Sequence, residues 1–279
     1  MKKVKIFFRE TINTIQKIPE HHVAAYAAQS AFFFILSLIP IILLLMTLVQ
    51  YTPVTKADVM TAVIRIFPAS INTMLTSIVN QVYNQSMGII PVTVIVALWS
   101  AGKGVLALAT ALNTILGCPE TRNYIYIRLR ATVYTVLFIM MLIVMLVIAV
   151  FGNTLHDFII GHVPLATHVS QLMLWLKNFI APALLTILFL YVYKYLPNSD
   201  EIVLKQQIPG ALFAAAGWMA CSWVFSVYLD IFKGFSNMYG SLTTIILIML
   251  WMYFSMYCIL LGGELNVMIQ KMKNLDITE

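Results

Sequence analysis

Charge is scarce in this sequence: only 10% of its 279 residues are Asp, Glu, Lys or Arg, whereas 61% are hydrophobic, and the mean hydropathy is +0.90. A soluble domain carries roughly 25% charged residues, so the shortage excludes the ordinary globular class and points to a chain dissolved in lipid. Cysteine is almost as sparse. Cys118, Cys221 and Cys258 share no metal-ligand spacing and cannot all pair, which leaves no basis for a disulfide framework or a zinc module. Carboxylates are few: those expected on the cytoplasmic side are scattered over Glu10, Glu20, Glu120, Asp200, Glu201, Asp276 and Glu279, with Glu264 apart from them, and the others are Asp58, Asp157 and Asp230. A metal-dependent nuclease needs such groups, or histidines, to converge on a cation, and here they do not. Walker loop, Rossmann fingerprint and nucleophile elbow are all missing, and Gly102-x-Gly104 lies in an apolar stretch where no phosphate loop would form. The sequence therefore predicts no enzyme, cofactor or bound metal.

What the chain does have is long uncharged intervals. No Asp, Glu, Lys or Arg falls between Glu20 and Lys56, between Arg130 and Asp157, or between Lys233 and Glu264. These intervals, with the remaining hydrophobic runs, predict six membrane spans near Ala24–Val49, Ile89–Leu116, Thr132–Gly152, Leu172–Tyr195, Pro209–Leu229 and Ser241–Met268. At about 1.5 Å per residue each can cross a hydrocarbon layer of about 30 Å. The expected fold is all-α: one polytopic domain over residues 21–270, a cytoplasmic N-terminal segment over 1–20 and a short tail over 271–279.

Basic residues orient it. With the N-terminus inside, Lys2, Lys3, Lys5, Arg9, Lys17, Arg122, Arg128, Arg130, Lys194, Lys205, Lys271 and Lys273 fall on the cytoplasmic side, against Lys56, Arg65, Lys177 and Lys233 outside. This positive-inside bias puts both termini in the cytoplasm. It also accounts for the net charge of +6 without nucleic acid as a partner. The N-terminal segment places Val4, Phe7, Phe8, Ile12 and Ile15 at helical spacing among lysines, which suits either an amphipathic helix on an anionic leaflet or one docked on the bundle. Between residues 55 and 85, apolar positions recur at helical intervals around Pro68, predicting short amphipathic helices on the outer interface, with a re-entrant element as the alternative. His156, His162 and His168 in the second external connection lack metal-ligand spacing.

Inside the predicted spans, polar and helix-breaking residues become candidates. Lys103 stands about thirteen positions, roughly 20 Å, from either end of its stretch, too deep for easy snorkelling. It reads as an interior, hydrated or paired cation. Gly102 and Gly104 beside it weaken the helix, or alternatively allow close helix contact. Gln29 and Ser30 add hydrogen-bonding groups to the first span, and Pro40 implies a kink there. Ala24, Ala27, Ala28 and Ala31 form a small-residue face for close packing. Glu264 falls toward the cytoplasmic end of the last span. Lys103, Gln29, Ser30 and Glu264 together outline a candidate intramembrane polar path.

Several motifs recur in order: Ser37-Leu38-Ile39-Pro40, Leu98-Trp99-Ser100 leading to Ala111-Leu112-Asn113, Tyr195-Leu196-Pro197, Ile208-Pro209-Gly210-Ala211, Tyr239-Gly240-Ser241-Leu242 and Leu261-Gly262-Gly263-Glu264-Leu265-Asn266. As an ordered set they resemble the YihY/BrkB family of bacterial inner-membrane proteins, formerly called ribonuclease BN. The resemblance implies a six-span plasma-membrane protein without a catalytic set to transfer, and it makes Lys103 a departure from the small or polar residue that the family places there. The function expected on these grounds is transport or transbilayer handling of a small solute or lipid. The alternative is a structural or regulatory membrane protein that assembles with itself or with a membrane partner.

Overall fold

A computed structural model describes residues 2–50, 56–57, 60–61, 76–77, 79–80, 90–137, 140, 167–199, 201–231 and 241–277. Most of the outer segment near 55–85, the histidine-bearing connection at 153–166 and most of the third expected span lie outside the described residues. The described ones form α1 (Lys2–Glu20), α2 (Val23–Gln50), α3 (Ile90–Leu116), α4 (residues 124–137), α5 (Thr167–Tyr195), a 3-10 turn (Leu204–Gln207), α6 (Ile208–Ile231) and α7 (Ser241–Ile277). No strand occurs among them.

Helix ends follow local chemistry. Pro19 removes an N–H from the last turn of α1, and His22 at φ 51° turns the chain into α2. At the end of α3, Gly117 has φ 68°, its N–H donates to Thr114 O at 3.2 Å, and Cys118 N–H donates to Asn113 O at 2.9 Å. That pair of bonds is a Schellman closure, and Pro119 prevents the helix from resuming. Neither Gly102 nor Gly104 interrupts α3, which is continuous, so the glycine-broken span expected there is not found. Each glycine instead makes room for a neighbour, as described below. α2 is likewise helical through Pro40.

α2 lies along α3, α6 lies along α7, and α7 also touches α1, α2 and α3, while α5 packs on α6. The core between them is built from Ala27, Ala31 and Phe34 of α2, Leu108, Leu112 and Ile115 of α3, Phe189 and Tyr193 of α5, Ala211 and Ala214 of α6, and Met256 and Leu260 of α7. Small residues on α2 and α6 bring backbones close, and large ones on α3 and α7 fill between them. Two helical stretches, Leu204–Tyr228 and Ile245–Leu275, are long and apolar enough to cross a membrane, and shorter apolar stretches occur at Val23–Ser37, Gly102–Leu116 and Pro182–Tyr195. Among the described residues, then, two stretches qualify by length and composition rather than six.

Candidate functional site

The tightest packing is the antiparallel crossing of α6 and α7. Gly210 lies against the Gly262 carbonyl and Asn266, and Gly217 lies against Cys258, so that a Cβ at either glycine would overlap its neighbour. Gly210 N–H donates to Asn266 Oδ1 at 2.7 Å, and Asn266 Nδ2 donates to Gln207 Oε1 at 2.9 Å. Tyr193 of α5 covers Gly262 and donates its hydroxyl to Ile259 O at 2.5 Å. The asparagine thus satisfies a backbone N–H at the start of α6, where no intrahelical acceptor exists. The Ile208–Ala211 and Leu261–Asn266 motifs are one structural unit, held by hydrogen bonds and by the absence of side chains.

Beside this crossing lies Glu264, buried on α7. Its Oε1 is 2.5 Å from His21 Nδ1, in the link between α1 and α2. Beyond Glu264, α7 continues along α1, where Lys271 lines an open cleft of about 280 Å³ with Glu10, Lys17 and Glu20. Before Glu264 it runs antiparallel to α2. Ser30 of α2 is nine residues past His21, and Ser255 of α7 is nine residues before Glu264. Both are fully buried, and neither hydroxyl has a hydrogen-bond partner among the described residues. Buried hydroxyls are ordinarily paired, since an unpaired one costs about 1–3 kcal/mol. The next buried serine on α2, Ser37, is satisfied by Phe34 O at 2.6 Å.

Of the four residues in the expected polar path, the structure places Ser30 and Glu264 inside the bundle and turns Gln29 and Lys103 outward. Lys103 itself is exposed. Its Nζ lies 5.5 Å from the centre of the Phe33 ring on the outer surface. The physical reason is the pair of glycines. A Cβ at Gly104 would come within 2.8 Å of the Phe34 ring, and one at Gly102 would lie 3.7 Å from the Arg128 guanidinium, so the backbone at these two positions packs inward and Lys103 points away. Arg128, read from sequence as a surface charge that sets orientation, is buried instead. It donates to Trp99 O at 2.5 Å and stacks 4.3 Å from the Trp99 ring. The small-residue face of α2 is divided, with Ala27 and Ala31 buried and Ala24 and Ala28 exposed.

A second polar cluster ties the end of α3 to the end of α5. Asn113 Nδ2 donates to Glu120 Oε2 at 2.8 Å, while Asn198 N–H donates to Asn113 Oδ1 at 2.7 Å. Arg122 donates to both Glu120 oxygens and to Leu196 O. The Arg122 hydrogen bonds hold the Glu120 carboxyl below its usual range, and Glu120 in turn raises Arg122. Arg130 and the Tyr134 hydroxyl of α4 both donate to Tyr195 O. Sequence reasoning missed His21, Ser255 and Arg128. For His21 and Arg128 the only available signal was their position at the edge of an uncharged interval, and for Ser255 there was none.

Among the described residues no group of three His, Cys, Asp or Glu side chains could hold a metal ion. The sequence profile of the family described as "Virulence factor BrkB" matches residues 14–278. A ribonuclease-like protein of Bacillus subtilis, YfkH, is 34% identical over 260 residues, covering 91% of this chain and 93% of its own. UPF0761 membrane proteins match locally: that of Pseudoalteromonas translucida is 36% identical over 29% of this chain and 27% of its own, and that of Glaesserella parasuis 30% identical over 37% and 36%. No solved structure matches. The family is one of membrane proteins, distinct from true ribonucleases despite the name its Bacillus relative carries. With the profile covering nearly the whole chain and the Bacillus relative aligned almost end to end, the chain belongs to the BrkB family of membrane proteins.

Proposed function

We infer that this protein is a six-span protein of the bacterial plasma membrane, with both termini cytoplasmic, that moves or handles a small solute or lipid across the bilayer without hydrolysing nucleotide. The observation that carries this reading is the α2–α7 seam. These two helices are in contact, Glu264 of α7 is buried against His21, and each helix carries one fully buried serine, Ser30 and Ser255, whose hydroxyl has no partner among the described residues. Polar groups left unsatisfied inside an apolar bundle are costly, and in membrane proteins they mark routes for water, ions or solutes. The basic cytoplasmic side of the bundle suits anionic lipids of the inner leaflet.

The test is reconstitution in vesicles with labelled lipids and a panel of small solutes. Wild-type protein is expected to give flux for at least one class, and Glu264→Gln and Ser255→Val are expected to slow it about tenfold or more while remaining monodisperse. Absence of flux for every lipid and solute tried, with folded protein, would sink the reading. A non-transporting assembly role is favoured by one observation, the exposed small-residue strip Ala24, Ala25 and Ala28 on α2, which would let a second copy approach closely. Disulfide crosslinking between copies at Ala28→Cys would report it.

A further inference from the structure

The exposed apolar surface of three helices ends at one level. On α2 the exposed large hydrophobics begin at Phe32, and the exposed positions before it in that helix are Ala24, Ala25, Ala28 and Gln29. On α3 they are Val92, Ile95, Val96 and Trp99, and past Trp99 the exposed side chains of that helix are Lys103 and Thr110. On α7 they end at Phe254, and the exposed positions beyond it are Lys271, Lys273 and Asn274. Contacts tie these limits together. Lys103 lies at Phe33, Gly104 lies at Phe34, and Phe32 and Phe254 are eleven and ten residues from the paired His21 and Glu264. On α6 and the 3-10 turn before it the exposed apolar side chains run further, to Ile208 and Leu204, so the edge crosses the bundle obliquely.

Lys103 and Trp99 are one helical turn apart on the same outward face, and the Arg128 guanidinium lies on the Trp99 ring. Tyr124 and Tyr126, also exposed, open α4 a turn before Arg128. An exposed cation and an exposed tryptophan therefore stand where apolar surface gives way to polar, with the buried Arg128 guanidinium against the indole. No carboxylate pairs with either cation among the described residues. Tryptophan and tyrosine with Lys and Arg are the side chains that collect at headgroup depth.

We propose that Lys103 binds the phosphate of an anionic phospholipid beside Trp99, whose ring the buried Arg128 holds in place, and that Lys103 marks the inner edge of the bilayer rather than its middle. In that arrangement the ammonium contacts a phosphate oxygen as a mobile point charge, the guanidinium is fixed by the Trp99 carbonyl and ring, and the indole lies among the glycerol and upper acyl carbons. The inference rests on the placement of the helices in a bilayer and not on transport.

Native mass spectrometry of the full-length protein from nanodiscs of phosphatidylglycerol mixed with phosphatidylcholine tests the ligand. Wild type is expected to retain phosphatidylglycerol preferentially. Lys103→Gln is expected to lower that retention about fivefold, and Arg128→Lys, which keeps the charge but loses the planar stack, to lower it less. Equal retention of the two lipids would overturn the proposal. Displacement of the lipid by millimolar inorganic phosphate would overturn the lipid assignment in favour of a free anion. Depth is read separately from nitroxide labels at Val96→Cys and Thr110→Cys, with Cys118, Cys221 and Cys258 replaced by Ala. Val96 is expected to be accessible to oxygen and Thr110 to a water-soluble relaxant, whereas oxygen accessibility at both would place Lys103 deep in the membrane and overturn its assignment. Flux measurements on the same variants are independent of either result.

Discussion

His21 and Glu264 are 243 positions apart in the chain, yet their side chains meet at 2.5 Å. The carboxylate has left water almost completely, so its acceptor capacity has to be met within the protein. Replacing His21 with Ala removes that partner without touching Glu264, and the expected loss is about 1.5–3 kcal/mol, the worth of a hydrogen bond to a charged group. Thermal unfolding in a mild detergent measures it. In a His21→Ala, Glu264→Gln double mutant much of the loss is expected to be recovered, because the buried charge is gone. Glu264 was legible in the sequence as a carboxylate inside a hydrophobic run, but its partner was not, since nothing local to either residue encodes such a distant meeting. Lys103 illustrates the converse. Its place in an apolar run was plain, whereas the side it presents depended on which neighbours Gly102 and Gly104 admit, and Phe34 and Arg128 are known only from the packed helices.

α3 and α5 end in a shared knot, and its chemistry is acid-sensitive. Arg122 holds the folded Glu120 carboxyl below its ordinary value of 4.5, so the folded state binds fewer protons than the unfolded chain in the window between the two values. The contribution is therefore fully present above the unfolded value and is lost as pH falls through the lowered one. Glu120→Gln is expected to flatten that part of the stability profile as pH falls below the ordinary value of 4.5, measured by detergent-phase thermal melts across pH. If the mutant and wild-type profiles keep the same slope there, the Arg122 pairing is not stabilising the fold. The helices themselves were readable from one uncharged interval and from hydrophobic runs: the segments Ala24–Val49, Ile89–Leu116 and Leu172–Tyr195 fall on helices α2, α3 and α5. Their junctions were less so, because the Gly117–Cys118–Pro119 closure depends on a left-handed backbone turn and the Asn113–Asn198 bond joins residues 85 apart.

Across the whole molecule, the distribution of lysine and arginine predicts an even number of crossings. Green fluorescent protein fused to either end is expected to fluoresce, and alkaline phosphatase inserted at Asp157 is expected to be active, since each reporter works on one side only. A fluorescent N-terminal fusion with a dark, stably expressed C-terminal one would rule out the six-span reading. α7 bears on how such a molecule moves. At 37 residues it is about 55 Å long, well beyond a hydrocarbon layer of about 30 Å, and it touches α1, α2, α3 and α6. A helix of that length acts as a lever: rotation by about 10° about its middle carries each end roughly 5 Å. Because α1 rests on one end, any rocking of α7 would be passed on as a displacement of the N-terminal helix.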